Sequence, residues 1–408
     1  MACDTCKKTT FVQKSRNVAL KQTFTNNLVT ILSRHNISVA ICSNQNDFIA
    51  SIFSYKSSVY ADTLHIKKPQ SLTFNDGYIA ITADGKSHIS NGKQNDLFLQ
   101  FSNLSSHTIN ETNPHDLKIT ADKQLYFLNT QYSSISTIGL FSEFKNVWKP
   151  SFISEYEPET RCFLNGFAFR DDVPRYATSL SQSNTKDGWN ASLENSGVLI
   201  DIENDTILEG LCCPNSPRWY NDNLYFLDSG RGKLCRVDFN GDDSTLENAS
   251  VVDVGNIPSF GRGLDFVGNL AFIGISPVRR TQDTERLPIV QSIAATEAKA
   301  LDATQALEEL KTSLSTPYSS DNEKVIADDT AKEVVAKNAL SALLTEANRC
   351  GLWIVDINRG ESMAYYQVDN IDGINDVKIL PARAQISTTT TQRGQRNVYR
   401  TPKKNYNV

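Results

Sequence analysis

The sequence predicts an all-β fold, a six-bladed β-propeller closed by strands from both chain ends, and three observations carry that expectation. A strand-pair unit recurs: SLTFNDGYIAIT from Ser71, DLKITADKQLYFLN from Asp116, GFAFRDDVPRYATSL from Gly166, PRWYNDNLYFLD from Pro217 and GLDFVGNLAFIG from Gly263. Successive copies start 45, 50, 51 and 46 residues apart, about the length of one four-stranded blade. A half-copy, DVKIL from Asp376, follows after 113 residues, and the excess matches a segment of quite different composition, 284–349.

Taken in order, residues 1–36 read as an N-terminal arm, with 1–27 a mobile arm or a strap over the domain. From Ile37, SVAICS and FIASIF form a hairpin around Asn44 to Asp47, and an outer strand follows near Tyr60 to Ile66; no inner strand precedes them. The half-copy at Asp376 to Leu380 is an inner strand with nothing after it. Joining the two completes one blade and removes two exposed sheet edges. The propeller therefore spans 37–283 and 350–384.

The clearest copy of the unit, 210–238, separates its apolar runs by Asn-Asp and Ser-Gly-Arg-Gly turn signals, the pattern of antiparallel hairpins. LDSGRGK has the glycines of a phosphate loop without the following helix, so it reads as a hairpin turn. Within 284–349, Ile293, Ala300, Leu307 and Leu314 recur every seven residues, and Ala336, Ala339, Leu343 and Ala347 form a second stripe. That spacing predicts a helical hairpin projecting from the sixth blade between Ile275 and Gly351. It is either a self-contained decoration or an arm that docks a protein partner or a second copy of the chain. Residues 385–408 form a basic tail with Arg393, Arg396, Arg400, Lys403 and Lys404, solvated, or ordered along an acidic partner surface or nucleic acid.

Composition sets the class. The chain has 408 residues, 39% of them hydrophobic, and a net charge of −5; it can bury a large core, and nothing in its bulk charge points to nucleic acid. No apolar run is long enough to span a membrane, and Met1 to Asn27 lacks the apolar stretch of a secretory leader. The expectation is a cytoplasmic protein, or part of a larger assembly. Eight cysteines do not make a disulfide framework at this length. Cys42, Cys162, Cys235 and Cys350 lie in or beside apolar strands and read as buried thiols, while Cys3 and Cys6 have no second pair at metal-ligand spacing.

Polar clusters bearing Gly or Pro stand at the start of every inner strand: KPQS from Lys68, NPHD from Asn113, RCFLNG from Arg161, PNSPR from Pro214, FGRG from Phe260 and GIND from Gly373. In a propeller those connections open on one face and converge on the central channel. The candidate ligand-binding ring is His115, Asp116, Asn165, Asn215, Ser216, Arg218, Arg262, Asn375 and Asp376. Paired guanidinium groups at Arg218 and Arg262 suit carboxylate, phosphate or sulfate; the structural counterpart is that each ties neighbouring blades through loop carbonyls. A Ser216-His115-Asp376 arrangement for acyl transfer is conceivable, but Ser216 lacks a nucleophile-elbow sequence.

These residues also carry a resemblance. NPHDL, RCFLNGFA, SPRW, LDSGRGKLCRVD, GRGLDF, CGLWIVDI and DVKILP, in this order over about Ile37 to Pro381, resemble an uncharacterised, mostly bacterial propeller-like family known as a domain of unknown function. The resemblance implies the propeller and supplies no activity. In that family's pattern His commonly stands at the positions of Phe163 and Asn215, so three imidazoles would face the channel; here His115 alone remains of the three. Three imidazoles would suit zinc, whereas one His with Asp116 and Asp376 is a poor soft-metal site, although oxygen ligands suit calcium. No cofactor is expected; a divalent metal is the exception, with His115 and Asp116 as weak candidates. The expected function is a non-catalytic or catalytically reduced propeller that binds a ligand or partner within an assembly. The alternative is a metal-assisted hydrolase or lyase at the channel mouth.

Overall fold

The computed structural model describes residues 19–55, 57–75, 78–84, 86–90, 104–108, 113–138, 145–241, 244–278, 280–314, 350–368 and 371–381. They form six four-stranded antiparallel sheets arranged as a six-bladed β-propeller. Innermost strands are Asp376–Pro381 in blade 1, Pro69–Asn75 in blade 2, Pro114–Ile119 in blade 3, Leu164–Arg170 in blade 4, Pro214–Tyr220 in blade 5 and Phe260–Val267 in blade 6. Proline opens three of them, a position where its missing N–H breaks no ladder.

Blade 1 joins the chain ends. Its innermost strand pairs antiparallel with Ile37–Ser43 in the register Ile37 to Pro381 through Cys42 to Asp376, and Phe48–Tyr55 and Ser58–His65 complete the sheet. Apolar faces then close the ring seam by seam. Leu72, Ile79 and Ile81 pack on Ala40, Cys42 and Ile49 between blades 2 and 1, and Ala80 on Leu117 and Phe127 between blades 2 and 3. Leu128 and Ile135 meet Leu164 and Phe167, Tyr176 and Leu199 meet Leu224 and Phe226, and Tyr225 and Leu227 meet Leu264 and Ile273. The last seam, between blades 6 and 1, holds Phe272, Leu352 and Ile354 against Val39, Ile41 and Ile52. All six cysteines in the described residues are buried free thiols, as apolar side chains at these places must be.

A helix not foreseen from the sequence seals that last seam. Helix α1, Ala19–His35, sets Leu28, Ile31 and Leu32 into the cluster, one stripe at i, i+3 and i+4, and Asn27 donates to the Met363 carbonyl at 2.9 Å. Residues 19–35 of the expected arm are thus a packed helix, and 1–18 lie outside the described residues.

The insertion leaves from Leu270–Ser276 and returns at Gly351–Asp356, which pair with Ile275 opposite Gly351. Its first helix, α2, is Pro288–Leu314; the second stripe, 336–347, and the basic tail lie outside the described residues. The start of α2 does not project. Leu287, Ile289, Val290 and Ile293 are buried against Leu193, Cys212 and Cys213 of the propeller, so Ile293, expected in a helix-helix seam, faces the blades instead. Truncating a buried Ile to Ala costs about 2–5 kcal/mol. Ile293→Ala is therefore expected to loosen this docking, seen as faster limited proteolysis near 280–314 with little change in the main thermal transition. An equal loss in the main transition would show that α2 belongs to the propeller's cooperative core.

Candidate functional site

The inner strands start with an irregularity that aims side chains into the channel. In blades 2 to 6 the register between first and second strands shifts at Pro69/Ser71, Pro114/Leu117, Leu164/Gly166, Asn215/Arg218 and Gly261/Leu264. Such bulges bend the strand and re-aim a side chain, and the residues set in or beside them include His115, Asn165, Ser216 and Arg262. Gly263 shows why glycine stands there: its φ is +79°, and a Cβ would lie 2.5 Å from the Val377 nitrogen of the next blade.

All nine candidate residues line one cavity of about 380 Å³ at the channel mouth, but they do different work. Arg218, in blade 5, spans the channel to Asp116 of blade 3 with Nη1 to Oδ2 at 2.7 Å and Nη2 to Oδ1 at 3.1 Å. Its Nε donates to the Leu264 carbonyl at 2.9 Å and Nη1 to that of Phe167 at 3.3 Å. Asp376 lies 3.9 Å from Nη2. Burial, the largest influence, disfavours the Arg218 cation, yet Asp116 and Asp376 outweigh it and hold the guanidinium more firmly protonated than usual.

The carboxylates are committed too. Asp116 accepts the Phe167 N–H of blade 4 at 3.3 Å. Asp376 accepts the Ser71 hydroxyl at 2.6 Å and the Leu72 N–H at 3.1 Å from blade 2; burial first, then Asp116, pushes its pKa up. Asn165 donates to the Pro214 carbonyl at 2.9 Å and accepts from Thr178 at 2.7 Å. Asn215 donates to Ser229 at 2.8 Å. Ser216 donates to Asn215 Oδ1 at 2.9 Å and accepts the Gly263 N–H at 3.0 Å. Asn375 Oδ1 accepts the Asn44 N–H at 2.9 Å. Most of the ring therefore fastens blade to blade. The acyl-transfer arrangement is not assembled, because Ser216 gives its proton to Asn215 and Asp376 is held by blade 2.

A second bridge crosses between blades 6 and 3. Arg262 Nη2 donates to His115 Nδ1 at 2.6 Å, which places the imidazole proton on Nε2. Burial and the Arg262 charge hold the His115 pKa well below its ordinary value. The ring also meets Phe163 edge-on at 5.0 Å, and Phe163 packs on Trp189 at 4.5 Å. Of the two arginines, each read from the sequence either as an anion ligand or as a tie between blades, Arg218 is a cross-brace bonded to Asp116 and to carbonyls of the neighbouring blades, while Arg262 bonds His115 across the channel.

The cup also has an apolar lining: Phe163, Leu180, Leu193, Cys213, Phe260 and Leu287. Phe163 and Phe260 were visible in the polar clusters. Leu193, from a loop, and Leu287, from the insertion, carry no signal in the repeat, so the wall they build was missed. Among the described residues no three His, Cys, Asp or Glu side chains gather as a metal site requires, and His115 Nδ1 and both Asp116 oxygens are engaged by guanidinium groups. The LDSGRGK stretch is the expected turn: a short 3₁₀ segment, Ser229–Arg231, with Gly232 at φ +64° and Arg231 bonded to Asp228 at 2.6 Å.

The neutral imidazole has a pH consequence. Between its depressed folded pKa and about 6.5 the unfolded chain binds a proton at His115 that the folded chain refuses. Stability is thus present above that window and lost as pH falls through it, by at most about 1.4 kcal/mol per pH unit. Asp376 and Asp228, both raised by burial, act oppositely, so the comparison with His115→Gln is the readout. The variant is expected to lose less stability than the parent between pH 7 and 5; parallel curves would contradict a neutral His115.

Fold and site together define a six-bladed propeller whose channel is crossed by an arginine–carboxylate brace that lines a cavity of mixed polar and apolar character. The chain belongs to the family described as a domain of unknown function, DUF4915, whose match covers residues 26–306. No curated protein matches it. Solved structures similar to it include a chain of the nidogen/laminin complex (8% identity, 85% of this chain and 100% of that one, TM-score 0.48). A protein of unknown function from Bacteroides caccae gives 8% identity, 85% and 99% coverage and a TM-score of 0.47. Virginiamycin B lyase from Staphylococcus aureus gives 14%, 58% and 73%, and 0.37. None of these likenesses is close enough to carry an activity. Among the described residues no helix is long and apolar enough to cross a membrane.

Proposed function

We propose that this chain is a non-catalytic propeller whose channel-mouth cup binds a small organic molecule. One observation carries the reading: a 380 Å³ cavity, of a size common for small-molecule sites, has an apolar wall and a polar floor whose acid, base and hydroxyl groups are tied up in bracing the blades. Asp116, Asp376 and Ser216 have their oxygens in inter-blade or ring hydrogen bonds, an arrangement that gives shape and rigidity rather than a poised nucleophile. The insertion forms part of the wall through Leu287, so a protein partner or second copy docked on its outer part, where Leu301 is exposed, would act next to the ligand. Sedimentation of the intact chain tests that association.

Blocking the cup tests the binding reading. Gly373 lines it, and a Cβ there would meet Ser276 Oγ at 3.3 Å and Gln45 at 3.9 Å, both also in the lining. Gly373→Trp should fill the cup without touching the braces. A ligand-observed NMR screen of small organic molecules is expected to give binders to the parent that are lost in this variant; binders indifferent to it would contradict the reading.

A further inference from the structure

We infer that the start of the insertion is a gate on the cup: docking of α2 and occupancy of the cavity are linked, so loosening α2 weakens the ligand and the ligand in turn holds α2 in place. The inference rests on the reading of the cup as a ligand site and assigns its regulation.

The observation is that one apolar cluster has two sides. Leu287, Ile289, Val290 and Ile293 of the insertion are buried with Leu193, Cys212 and Cys213 of the propeller, and Leu180, Phe260 and Val278 pack on them. Of these, Leu180, Leu193, Cys213, Phe260, Val278 and Leu287 also line the cavity, whereas Ile289, Val290 and Ile293 do not. The apolar lining of the cup is thus a surface of the same cluster that seats α2. Undocking α2 takes Leu287 out of the lining and bares Leu193 and Cys213 to water.

The seat is specific and small. In the LDSGRGK turn Gly232 stands at φ +64°, and a Cβ there would lie 2.7 Å from Ile289 Cδ1, so the turn leaves the space that Ile289 fills. From Arg280 to Pro288, Leu287 is buried, Thr284 is half-buried and the other residues are exposed. Beyond Ile293 the described side chains of α2 are exposed or half-buried. Burial of four aliphatic side chains must therefore offset the ordering of the connection that carries them, and these contributions are of like size. That balance makes a local opening accessible, and a ligand that needs the docked form shifts it. Linkage makes the effect reciprocal: α2 docking and ligand binding favour each other by the same factor.

Indole, 2-naphthol and 4-phenyl-2-butanone, small neutral molecules that are mostly apolar, are the probes. Each is titrated calorimetrically into the full chain, and trypsin cleavage after the exposed Arg286, next to buried Leu287, reports undocking. At least one probe is expected to bind the parent, to be lost in Gly373→Trp and, at saturation, to slow cleavage after Arg286 about five-fold or more, the lower end of ordinary coupling between sites. Ile293→Ala and Val290→Ala, both outside the lining, should each speed that cleavage and weaken the probe by about five-fold or more. Leu301→Ala, exposed on the same helix, should change neither. Protection of the parent chain stands as a test even where a variant fails to fold. A probe lost in Gly373→Trp that leaves cleavage unchanged, or that binds both docking variants as tightly as the parent, would overturn the gate and leave the cup standing as a ligand site. No binding by any probe, or binding indifferent to Gly373→Trp, would overturn the cup and the gate with it.

Discussion

Arg218→Ala is expected to lower folding stability by about 3–5 kcal/mol, the usual cost of leaving a buried charge without its partner. The side chain is bidentate to Asp116 and bonded to the carbonyls of Leu264 and Phe167, so its loss frees two buried carboxylates and two carbonyls from blades 4 and 6. Asp116→Ala should cost a similar amount, since it strands the guanidinium. Replacing both with apolar residues, as in Asp116→Leu with Arg218→Met, should recover a large part, because a buried pair exchanged for packed side chains is often nearly neutral. Arg262→Ala, which removes a bond to an imidazole, should cost less than Arg218→Ala. Urea unfolding of the five proteins decides it; equal losses from Arg218→Ala and Arg262→Ala would mean that the Arg218–Asp116 pair has no special weight in bracing the blades.

Removing the chain from Ile374 onward should abolish soluble expression. The deletion takes the innermost strand of blade 1 and its pairing from Cys42 to Ile37, together with Asp376, which holds Ser71 and Leu72 of blade 2. It also strips Val377 from the seam between blades 6 and 1. The Ile37–Ser43 edge would then be bare and apolar, an invitation to intermolecular pairing. Truncation after Pro381 keeps the strand and should remain soluble, which separates closure from any role of the basic tail. A soluble, cooperatively folding protein ending at Gly373 would contradict closure by both chain ends.

The blades were legible because their signal is local and repeated. A turn bearing Asn, Asp or Gly between two apolar runs sets each hairpin, and the spacing of the copies counts the blades. The half-copy at Asp376 was legible for a complementary reason: an inner strand without successors must pair with a hairpin without a predecessor. Helix α1 was not, because three apolar residues, Leu28, Ile31 and Leu32, make a weak stripe whose stability comes from a seam formed by blades 6 and 1, which no local pattern records. The same holds for the start of α2. A heptad spacing cannot say whether Ile293 faces a second helix or Cys212 and Cys213.

At the site, the sequence located the ring and could not divide its labour. Arg218 and Arg262 look alike in SPRW and GRGL, yet one lies opposite a carboxylate and the other opposite an imidazole, and only the relative rotation of blades 3, 5 and 6 decides that. The apolar wall had no sequence signature because it is built from Phe163 and Phe260 together with side chains outside the repeat. His115, read as a weak metal candidate, accepts a hydrogen bond from Arg262 at Nδ1, a partner that no sequence pattern records.

The most direct test of a non-catalytic ligand cup is a titration followed by recovery of the ligand. The tightest-binding molecule from the ligand-observed NMR screen is titrated calorimetrically into the full chain, held with it for a day, and then released by denaturation and analysed by mass. The account predicts one ligand per chain, recovered chemically unchanged, and no binding to Gly373→Trp. Conversion of the ligand by the parent protein, or binding that survives Gly373→Trp, would contradict it.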